Sequence, residues 1–141
     1  METSSTSNQA SPDSSADIES RILACLVASE HGAVAAIDVI IEQAVKDRAS
    51  DFYLEPRMSH VDLRFRLDGA LYSIARLPKD SHERLVARLK VLGHLPTYHR
   101  GLPQDGRVDV LVSDKSVSFR ISVLPTIHGE QVVLRALNSS S

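Results

Sequence analysis

The sequence predicts an α+β domain in which helices pack on an antiparallel sheet of about five to six strands. Two observations predict this fold class. Apolar residues recur at helical spacing in three segments, and with a period of two in the segments between and after them. The segments with a period of two are joined by short links, and short links force antiparallel pairing.

Two helices are predicted before the first strand. The first covers residues 18–30 and ends at the pair His31-Gly32, and the second begins near Ile37. In both, apolar residues return at the i, i+3, i+4 spacing of a single buried face. These residues are Ile18, Ile22, Cys25 and Leu26 in the first helix, and Ile37, Ile40, Ile41, Ala44 and Val45 in the second.

A three-stranded segment follows Ser50. Apolar and polar residues alternate over 51–55 and again over 61–67, which is typical of half-buried strands. Asp68-Gly69 predicts a type I′ turn, because both central residues of that turn need a positive φ. Residues 70–76 then return as the partner strand.

A third helix connects the two groups of strands. Pro78 ends the preceding strand, Asp80 and Glu83 resemble a capping box, and Pro96 ends the helix. The connector over 97–106 is rich in turn-forming residues. We interpret four of its members as a structural turn motif: Pro103, Gln104, Asp105 and Gly106.

The next hairpin permits a prediction of register. If Ser113-Asp114 is a two-residue loop, Val108 pairs with Phe119 and apolar residues meet on one face. The same register places Arg107 opposite Arg120 on the other face. Pro125 is expected to stop the second strand, and a last strand runs from about residue 131 to 137.

Two arginines on one face suggest an anion between them. Like charges directly opposite each other are unfavourable on a sheet, and the planar fork of arginine suits phosphate geometry. The alternative, in which Arg107 and Arg120 simply extend into water, stays open. Arg64 and Arg66 repeat the pattern on their strand, where a solvated face is favoured, and Arg66 can also pair with Asp68 or another nearby acid.

The domain organisation follows from composition. Residues 1–17 hold six Ser and two Thr and no large apolar residue after Met1, so we predict a disordered Ser-rich tail. Residues 18–36 form an N-terminal helix and linker, 37–137 one domain, and 138–141 a polar tail. The Met start and the polar tail favour a natural short protein over a fragment.

Charge, cysteine content and apolar runs narrow the class of protein. The formal net charge is -2, far from that of a dedicated nucleic-acid binder, so DNA and RNA are not expected as partners. Cys25 is alone and cannot form an internal disulfide. Without an apolar run of about 20 residues or a signal peptide, we expect a cytoplasmic chain that does not insert into a membrane.

No catalytic or metal site is predicted. His94 and His99 lie five residues apart with no third ligand at a useful spacing, whereas zinc needs three or four ligands. The chain has no G-x-x-x-x-G-K-[ST] loop, which would cradle nucleotide phosphates. We therefore expect no ATP hydrolysis by this chain alone and no cofactor bound by it alone.

An ordered set of short motifs resembles one family over roughly residues 37–137. That family is the second N-terminal, PAS-like domain of type II secretion and type IV pilus assembly ATPases, of the general secretory pathway E and pilus assembly B type. The matching pieces are Ala49-Ser50-Asp51 with Glu55-Pro56, Arg64-x-Arg66-x-Asp68-Gly69, Arg88-x-Lys90-Val91, Leu102 to Arg107, Phe119 to Ser122, and Thr126 to Glu130 followed by Val132 to Arg135.

The resemblance implies a role beside a motor. In the family, this domain is linked to a RecA-like motor, six subunits form a ring, and arginines of the domain approach the nucleotide phosphates of a neighbour. By position, Arg107 and Arg120 are the best candidates for that contact, with Arg64, Arg66 and Arg135 as secondary candidates. The implied partners are a motor subunit and a ring of like subunits, with recruitment to the inner membrane through the secretion or pilus complex.

A second function stays open. PAS-like domains often hold small molecules, so the same arginines could bind a phosphate-bearing ligand such as a nucleotide second messenger. In that case the chain would be a stand-alone sensory module. Calorimetry with nucleotides and cyclic dinucleotides separates the two hypotheses.

Overall fold

The computed structural model describes residues 12–98 and 101–137, which form one antiparallel sheet of six strands with three α-helices. The expected α+β class is confirmed. The strands, in the sheet order β3-β2-β1-β6-β5-β4, comprise two three-stranded groups joined through β1 and β6. Their bounds are β1 Asp51–Pro56, β2 His60–Leu67, β3 Ala70–Pro78, β4 Gln104–Val112, β5 Lys115–Thr126 and β6 Gly129–Ala136; the helices are α1 Pro12–Ala28, α2 Gly32–Lys46 and α3 His82–Leu92.

Each three-stranded group contains a tight two-residue turn that sets the register of the two strands it joins. Asp68 and Gly69 have φ of 52° and 83°, and Ser113 and Asp114 have φ of 52° and 67°. Both pairs therefore have the positive φ of type I′ turns, which confirms the turn type predicted for Asp68-Gly69 and the two-residue loop assumed for Ser113-Asp114. The twist of such turns matches that of the strands they join, so the turns fix which residues face each other.

One face of the sheet is the core and the helices cover it. Along β2, buried residues alternate with half-buried ones, as expected for a strand with one face in the core. Phe52 lies between the other two core rings, with ring centroids 6.0 Å from Phe65 and 5.9 Å from Phe119. The buried face of α2 includes Ile37 and Ile40, so the predicted helical stripe is confirmed.

Three helix boundaries differ from the sequence prediction. Helix α2 begins at Gly32 and not near Ile37. Helix α1 begins at Pro12 and not at residue 18, so residues 12–17 of the predicted disordered tail are helical; residues 1–11 and 138–141 lie outside the described residues. Helix α3 ends at Leu92, where Gly93 follows, and not at Pro96.

The predicted capping box of α3 is also wrong. A short 3-10 helix occupies Lys79–Ser81, so the residue that caps α3 is Ser81 and not Asp80. Its hydroxyl donates to the carbonyl of Pro78 at 2.7 Å and not to the helix. The 3-10 turn satisfies the first backbone groups locally, which the sequence pattern did not reveal.

The predicted turn motif lies mostly in a strand. Gln104, Asp105 and Gly106 belong to β4, and only Pro103 precedes it. Pro125 does not stop β5, which continues to Thr126. The reason is that β4 pairs with β5 no further than Val123, so the end of β5 has a neighbour on one side only, where a proline is tolerated.

Among the helices of the described residues, none combines the length and the apolar character required to cross a bilayer.

Candidate functional site

The face of the sheet opposite the helices carries a line of charged residues across five strands. The predicted hairpin register is confirmed: Arg107 of β4 is the partner of Arg120 of β5. Arg120 is in turn the partner of Arg135 of β6. We call Arg107, Arg120 and Arg135 the arginine row; all three side chains are exposed.

The line continues into the other half of the sheet with alternating charge. Arg135 is the partner of Asp51 on β1, and Asp51 is the partner of Arg66 on β2. Arg66 donates to the Asp51 carboxylate at 3.3 Å and to the Tyr53 hydroxyl at 3.2 Å. Arg66 also donates to the carbonyl of Gly69 at 3.2 Å. It is therefore engaged within its own half of the sheet, with Asp51 and not with Asp68.

Asp51 is a buried carboxylate that its neighbours hold in the charged form. Burial alone would raise its pKa, but hydrogen bonds, from Tyr53 first, and the charge of Arg66 outweigh that effect. The pKa of Asp51 is consequently below its ordinary value of 3.8. Ser50 also donates to this carboxylate, at 2.7 Å. The oxygens of Asp51 are thus occupied without Arg135.

Arg64 is engaged as well. It lies 3.4 Å from a carboxylate oxygen of Glu55, and Arg57 lies 3.2 Å from the same oxygen. Arg57 is also 3.0 Å from Asp62. Arg64 and Arg66, the two secondary candidates on β2, therefore both form ion pairs within their own half of the sheet.

Arg107 has an acidic neighbour on its own strand. Its Nε lies 3.0 Å from Asp109, and its Nη2 donates to the Ser118 hydroxyl at 3.3 Å. Ser118 also donates to Asp109. Hydrogen bonds from Ser118 and then Arg107 lower the pKa of Asp109 below 3.8. The Arg107 and Asp109 side chains are 64% and 55% exposed, so a solvated anion can compete for this arginine.

Arg120 and Arg135 differ from the other arginines of this face. Within residues 12–98 and 101–137, neither makes a side-chain hydrogen bond or an ion pair. They are also direct cross-strand partners of each other. The two guanidinium groups without an acid therefore stand side by side on the sheet.

The segment before Arg107 holds the start of β4 against the end of α3. A Cβ atom added to Gly106 would lie 2.6 Å from the carbonyl oxygen of Gly93, so only glycine fits this approach. Gln104 donates to the carbonyl of Pro96 at 3.1 Å, and Ser122 donates to Asp105 at 2.9 Å. These contacts position the strand that carries Arg107.

Sequence reasoning missed a buried ion pair between helix α3 and the start of strand β6. Lys90 of α3, whose side chain is only 2% exposed, lies 2.9 Å from a carboxylate oxygen of Glu130. Both residues line a cleft of about 470 Å³ between α3 and the β5–β6 turn. The sequence signal was present, since two of the family-like motifs contain these residues, but nothing local shows that the motifs meet.

In the described part of the chain, no group of three or more His, Cys, Asp or Glu residues is arranged to hold a metal ion. His94 lies within the described residues and His99 does not.

The fold and motifs define a domain of the secretion and pilus ATPase class. The model of the family described as type II/IV secretion system protein matches residues 28–141, and the chain belongs to this family. It is 39% identical over 105 residues to the type II secretion system protein HxcR of Pseudomonas aeruginosa, covering 74% of this chain and 22% of HxcR. It is 40% identical over 106 residues to the type IV pilus assembly ATPase PilB of Myxococcus xanthus, covering 74% of this chain and 19% of that PilB.

The chain spans about a fifth of the length of these relatives. The Pseudomonas aeruginosa PilB matches 90% of this chain at 39% identity, and this region is 23% of that protein. The fold is similar to part of two solved structures. They are the pilus retraction motor PilT with bound ADP (TM-score 0.50, 21% identity, 74% of this chain and 29% of PilT) and the Legionella pneumophila ATPase DotB (TM-score 0.56, 16% identity, 76% of this chain and 30% of DotB).

Proposed function

We propose that this chain is a non-catalytic domain that places its arginine row beside nucleotide phosphates held by a RecA-like motor. The motor belongs to a secretion or pilus assembly ATPase, and the contact is made in trans, within a ring of six subunits. Arg107 and Arg120 are the proposed contact residues. Membership of the family supports this proposal, as do relatives whose names are those of pilus assembly ATPases.

The observation that carries the proposal is the arginine row itself. Adjacent strands of a sheet are about 4.8 Å apart, so three guanidinium groups on neighbouring strands share one small surface. Their repulsion is relieved when an anion arrives, and a phosphate offers oxygens that match the guanidinium fork. The chain itself lacks a phosphate-binding loop, so the phosphates would be supplied by another domain.

Positive charge at this position would assist phosphoryl transfer. Negative charge on the transferred phosphoryl group is stabilised by preorganised cationic donors, which need not move during the reaction. The arginine row lies on strands anchored by the β4–β5 turn and by the contacts of Gly106. The domain would thereby promote closure and turnover of a site that it does not itself contain.

A chimera tests this function. Residues 28–137 would replace the matching region of Pseudomonas aeruginosa PilB, and ATP hydrolysis would be measured with and without the double substitution Arg107→Ala and Arg120→Ala. We expect the double variant to lose about 100-fold or more in kcat. The matched control is Arg76→Ala, which removes an exposed arginine on the same face at the opposite edge of the sheet.

Two results would contradict the proposal. One is a chimera with ordinary ATPase activity that is unaffected by the double substitution. The other is micromolar binding of a cyclic dinucleotide to the isolated chain together with a chimera that does not hydrolyse ATP; this pair of results favours the stand-alone sensory module. Association with the inner membrane would follow from the motor's complex under the main proposal only.

A further inference from the structure

We infer that the cleft between α3 and the β5–β6 turn binds the guanidinium group of an arginine that a partner polypeptide presents. The cleft offers acceptors for the N–H donors of that group at Asp80 and His82, and an apolar wall for its alkyl stem. None of the three residues of the arginine row lines this cleft. The inference therefore concerns a second site and does not depend on the proposed function.

The cleft has the size and composition of a ligand site. Its volume is about 470 Å³, within the range of about 300–1,000 Å³ that small-molecule sites occupy. Val86, Ala87 and Pro125 form an apolar part of its wall. The alkyl stem of an arginine can lie along such a surface while the charged head reaches polar groups.

The lysines that line the cleft are engaged within the protein, whereas one of its carboxylates is not. Lys79 donates to two backbone carbonyls, one of which is that of His128 at 2.7 Å. The Lys90 ammonium lies 2.9 Å from Glu130. Asp80 is exposed, and within the described part of the chain its carboxylate makes no hydrogen bond or ion pair. An incoming cation thus finds a carboxylate that is not already paired.

A buried acceptor in the same wall also lacks a donor. His82 is 5% exposed, and its Nε2 donates to the carbonyl of Glu130 at 2.6 Å. Burial lowers the pKa of His82 below its ordinary value, which favours the neutral ring and leaves Nδ1 as an acceptor. No donor of the described residues reaches this Nδ1. A guanidinium has five N–H donors and no acceptor, so it matches a wall in which acceptors are in excess.

An exposed apolar residue beside the cleft favours a polypeptide as the source of the arginine. Ile127 is 93% exposed and lies between Thr126 and His128, both of which line the cleft. A polypeptide with an arginine in the cleft can continue across this turn and cover the Ile127 side chain, which removes apolar surface from water. A free amine as small as agmatine gains no such contact.

Titration of the full chain with N-acetyl-arginine methylamide tests the site, and N-acetyl-citrulline methylamide is the matched probe. Citrulline has nearly the shape of arginine but carries no charge. We expect the arginine probe to bind with a Kd of about 1–10 mM and the citrulline probe to bind at least about threefold more weakly, because an exposed carboxylate contributes modestly. The amide NMR signals of Val86, Ala87 and Thr126 should shift, and the Nδ1 signal of His82 should move as it gains a donor.

Two variants test whether the Asp80 carboxylate provides the charge. Asp80→Asn should weaken binding of the arginine probe by at least about threefold and abolish its preference over the citrulline probe. Asp38→Asn makes the same change of charge at an exposed position of α2 that does not line the cleft, so it should leave both affinities unchanged. Dispersed amide spectra of both variants verify that the fold is retained.

A short peptide and agmatine distinguish a polypeptide from a free amine. An acetylated and amidated tripeptide with leucine on each side of the arginine should bind at least about threefold more tightly than the single-residue arginine probe. Ile127→Ser should remove this gain without changing the affinity for the single-residue probe. Agmatine should bind no more tightly than that probe.

Four outcomes would overturn the inference. The guanidinium site is rejected if the cleft signals do not shift at about 50 mM arginine probe, if the citrulline probe binds equally well, or if Asp80→Asn binds as the wild type does. Agmatine binding more tightly than the tripeptide rejects a polypeptide as the source of the cation. None of these results bears on the proposed function, which the ATPase activity of the chimera tests separately.

Discussion

Replacement of Glu130 by alanine should be among the most damaging single changes in this domain. The substitution removes the carboxylate that lies 2.9 Å from the Lys90 ammonium, while the ammonium remains 2% exposed. Removing one partner of a buried ion pair typically costs about 3–5 kcal/mol, because the remaining charge loses a compensating partner. Lys90 keeps a further interaction, so the loss is expected at the lower end of this range.

Partial hydration of the site reduces this penalty. Glu130 is 15% exposed, so water can enter where its carboxylate was and reduce the penalty. We therefore expect Glu130→Ala to lose about 3 kcal/mol, which corresponds to about 12 °C in Tm.

Urea denaturation is the appropriate assay. Lys90→Met should cost less, since the Glu130 carboxylate that remains has access to water. Glu42→Ala, at an exposed position of α2, is the matched control and should change the free energy of unfolding by no more than about 0.5 kcal/mol.

The reasoning would be refuted by a loss below about 1 kcal/mol for Glu130→Ala, or by a larger loss for Lys90→Met. Either result would mean that water solvates the Lys90–Glu130 pair and that its burial contributes little to the free energy of unfolding.

Three further predictions concern the row, the pH dependence and the close packing of β4. Arg135→Gln should raise the free energy of unfolding by up to about 0.5 kcal/mol at low salt, because it relieves repulsion with Arg120. This gain should vanish in 0.5 M salt, which screens the charges. Urea denaturation curves that show no gain at low salt would contradict that repulsion. Burial lowers the pKa of His82 below 6.5, so the folded state resists its protonation; stability should be complete above pH 6.5 and fall as the pH drops below it. His82→Gln should flatten this fall between pH 7 and 5.5 in thermal melts, and equal slopes for both proteins would contradict it. Gly106→Ala should lower the free energy of unfolding by about 2 kcal/mol or more, because its Cβ would meet a backbone oxygen at 2.6 Å. Gly69→Ala has open space but a φ of 83°, so it should lower that free energy by only about 1 kcal/mol in the same denaturation assay. The reverse order would be inconsistent with the close approach at Gly106.

Local patterns predicted the parts of the fold that local physics controls. Alternation of apolar residues identified the strands, and Asp68-Gly69 and Ser113-Asp114 identified the two turns. Matching apolar residues across the second turn then fixed the register of Val108 with Phe119, and with it the Arg107–Arg120 partnership. These features need only residues close in sequence, so the pattern contains the information.

The errors arose where a residue's environment depends on distant segments. Pro125 was expected to end β5, but β4 is absent beside it, so the missing N–H is harmless. Gly106 was interpreted as a turn residue, whereas its role is a close approach to the backbone at the end of α3. Neither fact can be predicted from the adjacent residues in the sequence.

The amino-acid sequence alone determined the fold class, the motifs of the secretion and pilus ATPase family, and two arginines facing each other on one hairpin. The tertiary structure decided the pairing of β1 with β6, which joins segments far apart in the chain. That pairing places Asp51 beside Arg135. The pairing of β1 with β2 commits Asp51 to Arg66, and the pairing of β5 with β6 places Arg135 beside Arg120. The physical reason is that alternation shows which face a side chain occupies, but only the assembled sheet determines which charges become neighbours.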